Sequence, residues 1–225
     1  MSDRSLRAAY SVWALGYDAL FGRGLSGPRR RSLELLGVRP GERVLVVGIG
    51  TGLDLPHLPR HATYEAVDVT PAMLRRARRR AADLGLPLAA LEGSASALPF
   101  ADARFDAVVL HLVLAVVPDP LGALREVARV LRPGGRVVVW DKMLGEDRRV
   151  PLWRRALHAL THRHVTGFLL DFYGIARAVG GLRIVRDEPS LFGGTWRIVL
   201  LEKSCGQEGS HSDAEPWGFS TTRRN

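Results

Sequence analysis

Short apolar runs alternate with amphipathic segments through the middle of the chain. The runs have few polar positions, as strands buried on both faces do. They lie at residues 43–47, 64–68, 88–91, 105–110 and 136–140. Helical spacing of apolar side chains predicts helices at residues 71–84 and 121–131, and a short helix is predicted from Gly52 to the prolines near residue 56. Strands that alternate with helices indicate an α/β fold with a parallel sheet covered on both faces.

The two flanks of this alternation have different patterns. Near the N-terminus, aromatic residues recur at mostly helical spacing, and glycines follow them. These aromatic residues are Tyr10, Trp13, Tyr17 and Phe21. A second helix is predicted at residues 29–36. Beyond residue 150 the predicted elements are helices at 151–164 and 169–179, strands at 182–186 and 195–202, and a disordered tail from 204.

Composition and charge narrow the class of protein. A chain of 225 residues with 46% hydrophobic residues is long enough for one well-packed domain. The formal charge of +9 would suit nucleic acid or an anionic membrane. However, all but two of the 32 basic residues are arginine, a bias typical of GC-rich coding. The densest basic cluster, at residues 75–80, is interpreted as a solvated helix face. Because no aromatic residues are interleaved with it, no nucleic-acid partner is expected.

The cysteine count and the lengths of the apolar runs exclude further classes of protein. The single Cys205 excludes an internal disulfide and any multi-cysteine metal site. No apolar run reaches the roughly 18 residues of a membrane span, and no signal peptide is predicted, so a cytoplasmic location is expected. His158 and His162 have a spacing that suits a metal, but no acidic partner follows them. No metal site is therefore expected.

The residues VLVVGIGTGLDL, at positions 44–55, end a predicted strand in a turn that contains Gly48, Gly50 and Gly52. Glycine lets a backbone approach a ligand closely, and Asp68 ends the next strand, where a carboxylate can accept hydrogen bonds from ribose hydroxyls. Together, the glycine turn and Asp68 predict an adenosine-type ligand. Asp54 close behind the turn would repel a pyrophosphate but tolerate a sulfonium with an amino acid tail. This favours S-adenosylmethionine over NAD.

Four sequence blocks resemble those of the class I S-adenosylmethionine-dependent methyltransferases. They are VGIGTGLDLPHLP from residue 47, AVDVTPAMLRRAR at 66–78, GSASALPFADARFDAVVL at 93–110 and LREVARVLRPGGRVVV at 124–139. The first block, with VVPDP at 116–120, is most similar to bacterial phosphatidylethanolamine N-methyltransferases and to ubiquinone and menaquinone methyltransferases. The resemblance implies a Rossmann-like doubly wound, mostly parallel seven-stranded sheet with an antiparallel C-terminal strand. It divides the chain into an N-terminal helical cap (1–37), a methyltransferase domain (38–203) and a tail (204–225).

The resemblance also implies roles for individual residues. The glycines would pack under the methionyl part of the cofactor, Asp68 would hold the ribose, and Val69, Ser94 and Ala95 would flank the adenine. His111 would lie near the methyl group. The full set of cofactor-binding residues implied is Gly48, Gly50, Thr51, Gly52, Asp68, Val69, Thr70, Met73, Ser94, Ala95 and His111.

The chain departs from the family pattern at two positions. Val46 stands where the family usually has an acidic residue, and Ser94 stands where it often has an aspartate. Loss of the first carboxylate removes a partner of the cofactor's amino group. One charged hydrogen bond contributes about 1.5–3 kcal/mol, roughly a 10- to 100-fold difference in affinity.

His111, Asp141 and Tyr17 are the candidate catalytic residues. His111 could act as a base or anchor the acceptor, or could be an ordinary core histidine. Asp141 could contact the substrate or form a simple ion pair with Lys142, and Tyr17 could close over the acceptor or only pack its helix down.

An aromatic and arginine-rich cap suits an amphipathic acceptor, such as a lipid headgroup amine, reached by peripheral contact with a membrane. A small hydrophobic metabolite such as a quinone is the alternative acceptor. A degenerate methyltransferase fold that binds a ligand without turnover, and a nucleotide-dependent oxidoreductase, also fit the glycine turn and its acidic partner. The oligomeric state stays open.

Overall fold

A computed structural model describes residues 24–143 and 170–205 of the chain. Seven strands form one sheet in the order β3-β2-β1-β4-β5-β7-β6. The strands are β1 (Arg43–Val47), β2 (Thr63–Asp68), β3 (Leu88–Glu92), β4 (Phe105–His111), β5 (Leu131–Lys142), β6 (Leu182–Leu191) and β7 (Trp196–Lys203). The described helices are α1 (Ser26–Leu36), α2 (Pro71–Asp83), α3 (Pro120–Val130) and α4 (Phe172–Val179).

Pairing in the sheet is parallel from β3 through β5 and antiparallel on both sides of β7. This confirms the predicted α/β class with its antiparallel strand near the C-terminus. The strand order reverses between β1 and β4. The chain therefore leaves the carboxyl ends of these two neighbouring strands in opposite directions along the sheet. In a doubly wound sheet such a reversal opens a crevice at the carboxyl edge.

Two layers of helices bury the two faces of the sheet. On one face, α1 contacts β4, β5 and β7 and α2 contacts β2 and β3, and α3 and α4 cover the other face. All seven residues of β4 are buried, because both faces of this central strand are covered. That burial explains why the middle of β4, residues 107–110, is apolar on both faces instead of alternating with polar residues.

Helix α1 is anchored to the sheet at its C-terminal end. Leu33 and Leu36 are buried in the core, and Gly37 ends the helix in the left-handed conformation. The Arg136 side chain donates from Nε to the Leu36 carbonyl at 3.0 Å and also pairs with Glu42. Residues 26–36 of the proposed cap are thus packed as part of the domain. The aromatic segment that precedes them lies outside the described residues, so the division at residue 37 stays a prediction.

Several predicted elements have different bounds in the structure. The helix expected from Gly52 is wrong: a single 3₁₀ turn at Leu55–His57 takes its place, since Pro56 within the turn and Pro59 after it cannot donate backbone hydrogen bonds. The predicted helix at 169–179 begins only at Phe172, where the Asp171 side chain accepts a hydrogen bond from the Gly174 amide. Strand β6 runs five residues beyond its predicted end. The predicted basic helix at 151–164 lies outside the described residues.

The helices of the two layers are short, and α2 has 13 residues. Within the two described ranges, no helix is both long and apolar enough to cross a bilayer.

Candidate active site

A cleft opens at the carboxyl ends of β1, β2 and β4, where the strand order reverses. Its atom-free space is about 910 Å³, measured out to its open mouth. All but one of the residues predicted to bind a cofactor line this cleft. Those that do are Gly48, Gly50, Thr51, Asp68, Val69, Thr70, Met73, Ser94, Ala95 and His111. One fold-level feature, the reversal of strand order, therefore brings together the segments that follow β1, β2, β3 and β4.

The three glycines of the turn after β1 differ in how much space surrounds them. All have positive φ angles. A Cβ on Gly48 would lie 2.4 Å from Cγ2 of Val113, whereas a Cβ on Gly50 would meet no described atom within 4 Å. A Cβ on Gly52 would lie 2.7 Å from Leu55 and 3.2 Å from the backbone of Ala77 in α2. Gly52 therefore packs the turn against α2, and its expected contact with the cofactor stays a prediction.

Asp68 at the end of β2 holds the glycine turn in place. Its Oδ2 accepts a hydrogen bond from the Gly50 amide at 2.8 Å, and its Oδ1 accepts one from the Thr70 amide at 2.9 Å. Burial raises the pKa of this carboxyl, and the two amides partly offset that effect. Each carboxylate oxygen can accept a second hydrogen bond. The side chain can therefore position the turn and still accept from ribose hydroxyls.

The residues predicted to flank adenine come from two neighbouring connections. Val69 follows β2, and Ser94 and Ala95 follow β3. Met73, a further residue predicted to bind the cofactor, lines the same cleft from α2. Ser94 accepts a 3.4 Å hydrogen bond at Oγ from the Ser96 amide, so its hydroxyl stays within its own turn. The two connections line a mostly apolar end of the cleft, which suits a flat heteroaromatic ring.

Four polar side chains meet at the opposite end of the cleft. The Asp54 Oδ1 accepts hydrogen bonds from Nη1 of Arg29 at 2.7 Å and from Nδ1 of His111 at 2.8 Å. The Nε2 of His111 shares a 2.7 Å hydrogen bond with the Ser32 hydroxyl. Although burial by itself would raise the pKa of Asp54, His111 and Arg29 hold it below its usual range. This group is called the Asp54 network below, and it joins α1 to the turn after β1 and to β4.

His111 is buried, and both of its ring nitrogens are engaged in the Asp54 network. An ionised Asp54 requires a proton on Nδ1, which leaves Nε2 to accept from the Ser32 hydroxyl. Nε2 could act as a base towards a substrate only if that hydrogen bond gave way. The edge of the ring also packs on Trp140, with 5.6 Å between the ring centroids. In this arrangement His111 orients its neighbours, and its role as a base stays a prediction.

Asp141 lies at the end of β5 and is fully buried. Its Oδ2 accepts a hydrogen bond from the Ala115 amide at 3.1 Å, and its Oδ1 accepts one from the Lys142 amide at 2.7 Å. Burial raises its pKa to about 6, against the effect of these amides. It is not among the described residues that line the cleft, so it can act there by fixing the loop that follows β4. Tyr17, the third catalytic candidate, lies outside the described residues.

Sequence reasoning had not identified Arg29 or Ser32 as site residues. Both occur in the arginine-rich stretch that begins α1, where a single sequence offers no distinction between solvated and buried arginines. Helical spacing places Arg29, Ser32 and Leu33 on one face with Leu36. A charge on an otherwise buried helix face is the one indication that the sequence contains.

Comparisons with known proteins agree with this geometry. A family described as "Methyltransferase domain" matches residues 45–139. The phosphatidylethanolamine N-methyltransferase of Cereibacter sphaeroides is 34% identical over 199 residues, which cover 87% of this chain and 96% of that protein. The chain belongs to the S-adenosylmethionine-dependent methyltransferases. The alternative of a nucleotide-dependent oxidoreductase is thereby set aside.

One further sequence relative and one solved structure resemble this methyltransferase to different extents. The demethylmenaquinone methyltransferase of Beutenbergia cavernae is 40% identical over 129 residues, and these cover 57% of this chain and 49% of that protein. A SAM-dependent methyltransferase from Thermotoga maritima, described as a possible histamine N-methyltransferase, has a TM-score of 0.66 at 20% identity. That match covers 87% of this chain and 98% of the Thermotoga chain and shows the shared fold.

The residues of the cleft fit the family's cofactor. S-adenosylmethionine supplies a methyl group attached to a positively charged sulfur. Asp68 and the apolar end of the cleft would hold its nucleoside, and the open space beside Gly50 would admit its thioether chain. Asp54 places a negative charge at the far end of the same cleft, which suits a cationic ligand.

We expect alanine substitutions to separate the roles of two glycines. Gly52→Ala should reduce the free energy of unfolding by about 2–4 kcal/mol, because left-handed strain is added to overlap with Leu55 and Ala77. Gly50→Ala adds only the strain, about 1–2 kcal/mol, but should weaken S-adenosylhomocysteine binding because its methyl group enters the cleft. Urea unfolding and calorimetric titration would measure both effects. Equal stability of the two variants would contradict the assigned contacts of Gly52.

We also expect Asp68→Ala to weaken S-adenosylhomocysteine binding by about 1.5–3 kcal/mol, since the ribose loses a charged acceptor and the turn loses its anchor. The matched control is Glu92→Ala, because Glu92 pairs with Asp68 in register on β3 but does not line the described cleft. Calorimetric titration of both folded variants would decide the point. An unchanged affinity in Asp68→Ala would refute the placement of the nucleoside.

Proposed function

We propose that this methyltransferase transfers methyl groups to the amine of a phosphatidylethanolamine-like headgroup at a membrane surface. The observation that supports this most directly is the identity with a phosphatidylethanolamine N-methyltransferase along 96% of that protein's length. The demethylmenaquinone methyltransferase matches over a shorter part of both chains. A quinone is accordingly the second candidate acceptor.

The cleft has an apolar flank at the end of β4. Leu112, Val113, Val116 and Val117 line it directly after His111. Leu112 has a φ of 60°, a left-handed conformation that is strained for leucine, and its amide donates to the Trp140 carbonyl at 2.8 Å. The backbone is thus held in place beside the site. An apolar flank excludes water and suits an acceptor whose amine is attached to a lipid.

Methyl transfer to an amine needs alignment and a neutral nitrogen more than it needs a strong catalytic group. The apolar flank would align the acceptor beside the Asp54 network. His111 Nε2 is engaged with Ser32, so the acceptor's ammonium would lose its proton to water at the mouth of the cleft before it enters.

An exposed phenylalanine stands at the same edge of the sheet as the cleft. Phe192 lies in the turn between β6 and β7 and is 73% exposed. The register pairs Trp196 with both Leu191 and Lys142, which places this turn at the carboxyl end of β5. The Lys142 ammonium lies 5.5 Å from the centre of the Trp196 ring. An exposed aromatic tip with a cation at its base suits insertion into an anionic membrane surface.

The proposed acceptor can be tested with radiolabelled S-adenosylmethionine and lipid vesicles. We expect label to enter lipid when the vesicles contain phosphatidylethanolamine, and the product to gain the mass of one methylene unit for each methyl group transferred. Vesicles of phosphatidylcholine with the same acyl chains are the control, because their nitrogen is quaternary and has no lone pair. Methylation only of demethylmenaquinone, or of neither acceptor, would overturn the lipid-amine proposal.

We expect Phe192→Ser to lower vesicle binding roughly 10- to 100-fold, since burial of a phenylalanine side chain contributes about 1.5–3 kcal/mol. Val185→Ser is the matched control, because Val185 is 45% exposed on β6, the strand that leads into this turn, but lies far from the carboxyl edge. Co-sedimentation with anionic vesicles would compare the two. Equal losses in both variants would argue against the turn as the membrane contact.

A further inference from the structure

Arg29 is a buried cation at the end of the cleft opposite the nucleoside site. Its side chain is 6% exposed, and the residue lines the cleft. Nη1 donates to Asp54, but Nε has no hydrogen-bond partner within the part of the chain that the structure describes. A buried guanidinium N–H without an acceptor is unfavourable by itself. Because the side chain lines the cleft, its positive charge would stabilise an anionic group of a ligand that binds at this end.

Asp54 offers the complementary charge beside Arg29. Both hydrogen bonds to this carboxylate, from Arg29 and from His111, end on Oδ1. In residues 24–143 and 170–205 no hydrogen bond or ion pair ends on Oδ2. Hence one end of the cleft presents an acceptor for a cation next to a donor for an anion. An α-amino acid in its zwitterionic form carries both groups on one carbon.

The sheet register shows how Asp54 could replace the carboxylate absent at Val46. Val46 pairs with Val109, which lies two residues before His111 on β4. Because side chains alternate along a strand, Val46 and His111 point to the same face of the sheet. His111 hydrogen-bonds to Asp54 on that face. The turn after β1 therefore places a carboxylate in the layer where a longer acidic side chain at position 46 would extend.

We propose that Arg29 and Asp54 together bind the amino acid end of S-adenosylmethionine, with Arg29 holding its carboxylate and Asp54 its ammonium group. Asp68 and the mostly apolar end of the cleft would hold the nucleoside. The open side of Gly50 lies between that end and the Asp54 network. A thioether chain that runs along the glycine turn reaches the Asp54 network. Helix α1 thus completes the cofactor site.

Three thioethers of adenosine test this assignment by calorimetric titration, independently of any methyl acceptor. S-adenosylhomocysteine has both charged groups, the 5′-(3-aminopropyl) thioether lacks the carboxylate, and the 5′-(3-carboxypropyl) thioether lacks the amine. We expect Arg29→Met to weaken S-adenosylhomocysteine and the carboxypropyl ligand at least tenfold and to change the aminopropyl ligand less than about twofold. We expect Asp54→Asn to weaken S-adenosylhomocysteine and the aminopropyl ligand but to spare the carboxypropyl ligand.

Arg30→Met is the matched control, since Arg30 is the next residue, is 71% exposed and pairs only with Glu34 within the described ranges. It should leave all three affinities unchanged. If Arg29→Met does not fold, Arg29→Lys keeps the charge opposite Asp54 but loses the planar fork of donors. It should still weaken only the two ligands that have a carboxylate. Equal losses for all three ligands, or no loss for any, would overturn the proposal.

Discussion

A buried carboxylate stays ionised only when positive groups and hydrogen-bond donors surround it, and Asp54 is the centre of such an arrangement. Arg29 reaches it from α1, and His111 reaches it from β4. If both partners were removed, the charge of Asp54 would remain buried without compensation. One side chain therefore links the helix, the glycine turn and the central strand.

The sequence was sufficient to predict the sheet and most of the cofactor side of the cleft. Strands buried on both faces appear in the sequence as apolar runs, and the glycines of the turn appear at a recognisable spacing. Asp68 could be predicted because it ends a strand and acts on a turn whose position in the sheet follows from the strand pattern. Each of these features depends on local spacing, which one chain displays directly.

The Asp54 network could not be predicted in the same way. Its three hydrogen bonds join residues that are 25, 57 and 79 positions apart, and no local pattern encodes those separations. Arg29 stands among neighbouring arginines that are exposed, so composition conceals it. The packing of Gly52 could not be predicted for a similar reason, because its neighbour Ala77 belongs to a helix that begins 19 residues later.

The bond between Arg136 and the end of α1 spans 100 residues of sequence. During synthesis α1 leaves the ribosome long before β5, the strand that it packs against, has been made. Its apolar face therefore stays exposed to water while β1 to β4 are synthesised. Contacts of such long range slow folding and leave apolar surface open to aggregation. The charged residues of α1, which keep its opposite face strongly hydrated, would therefore protect the nascent chain as well as serve the finished domain.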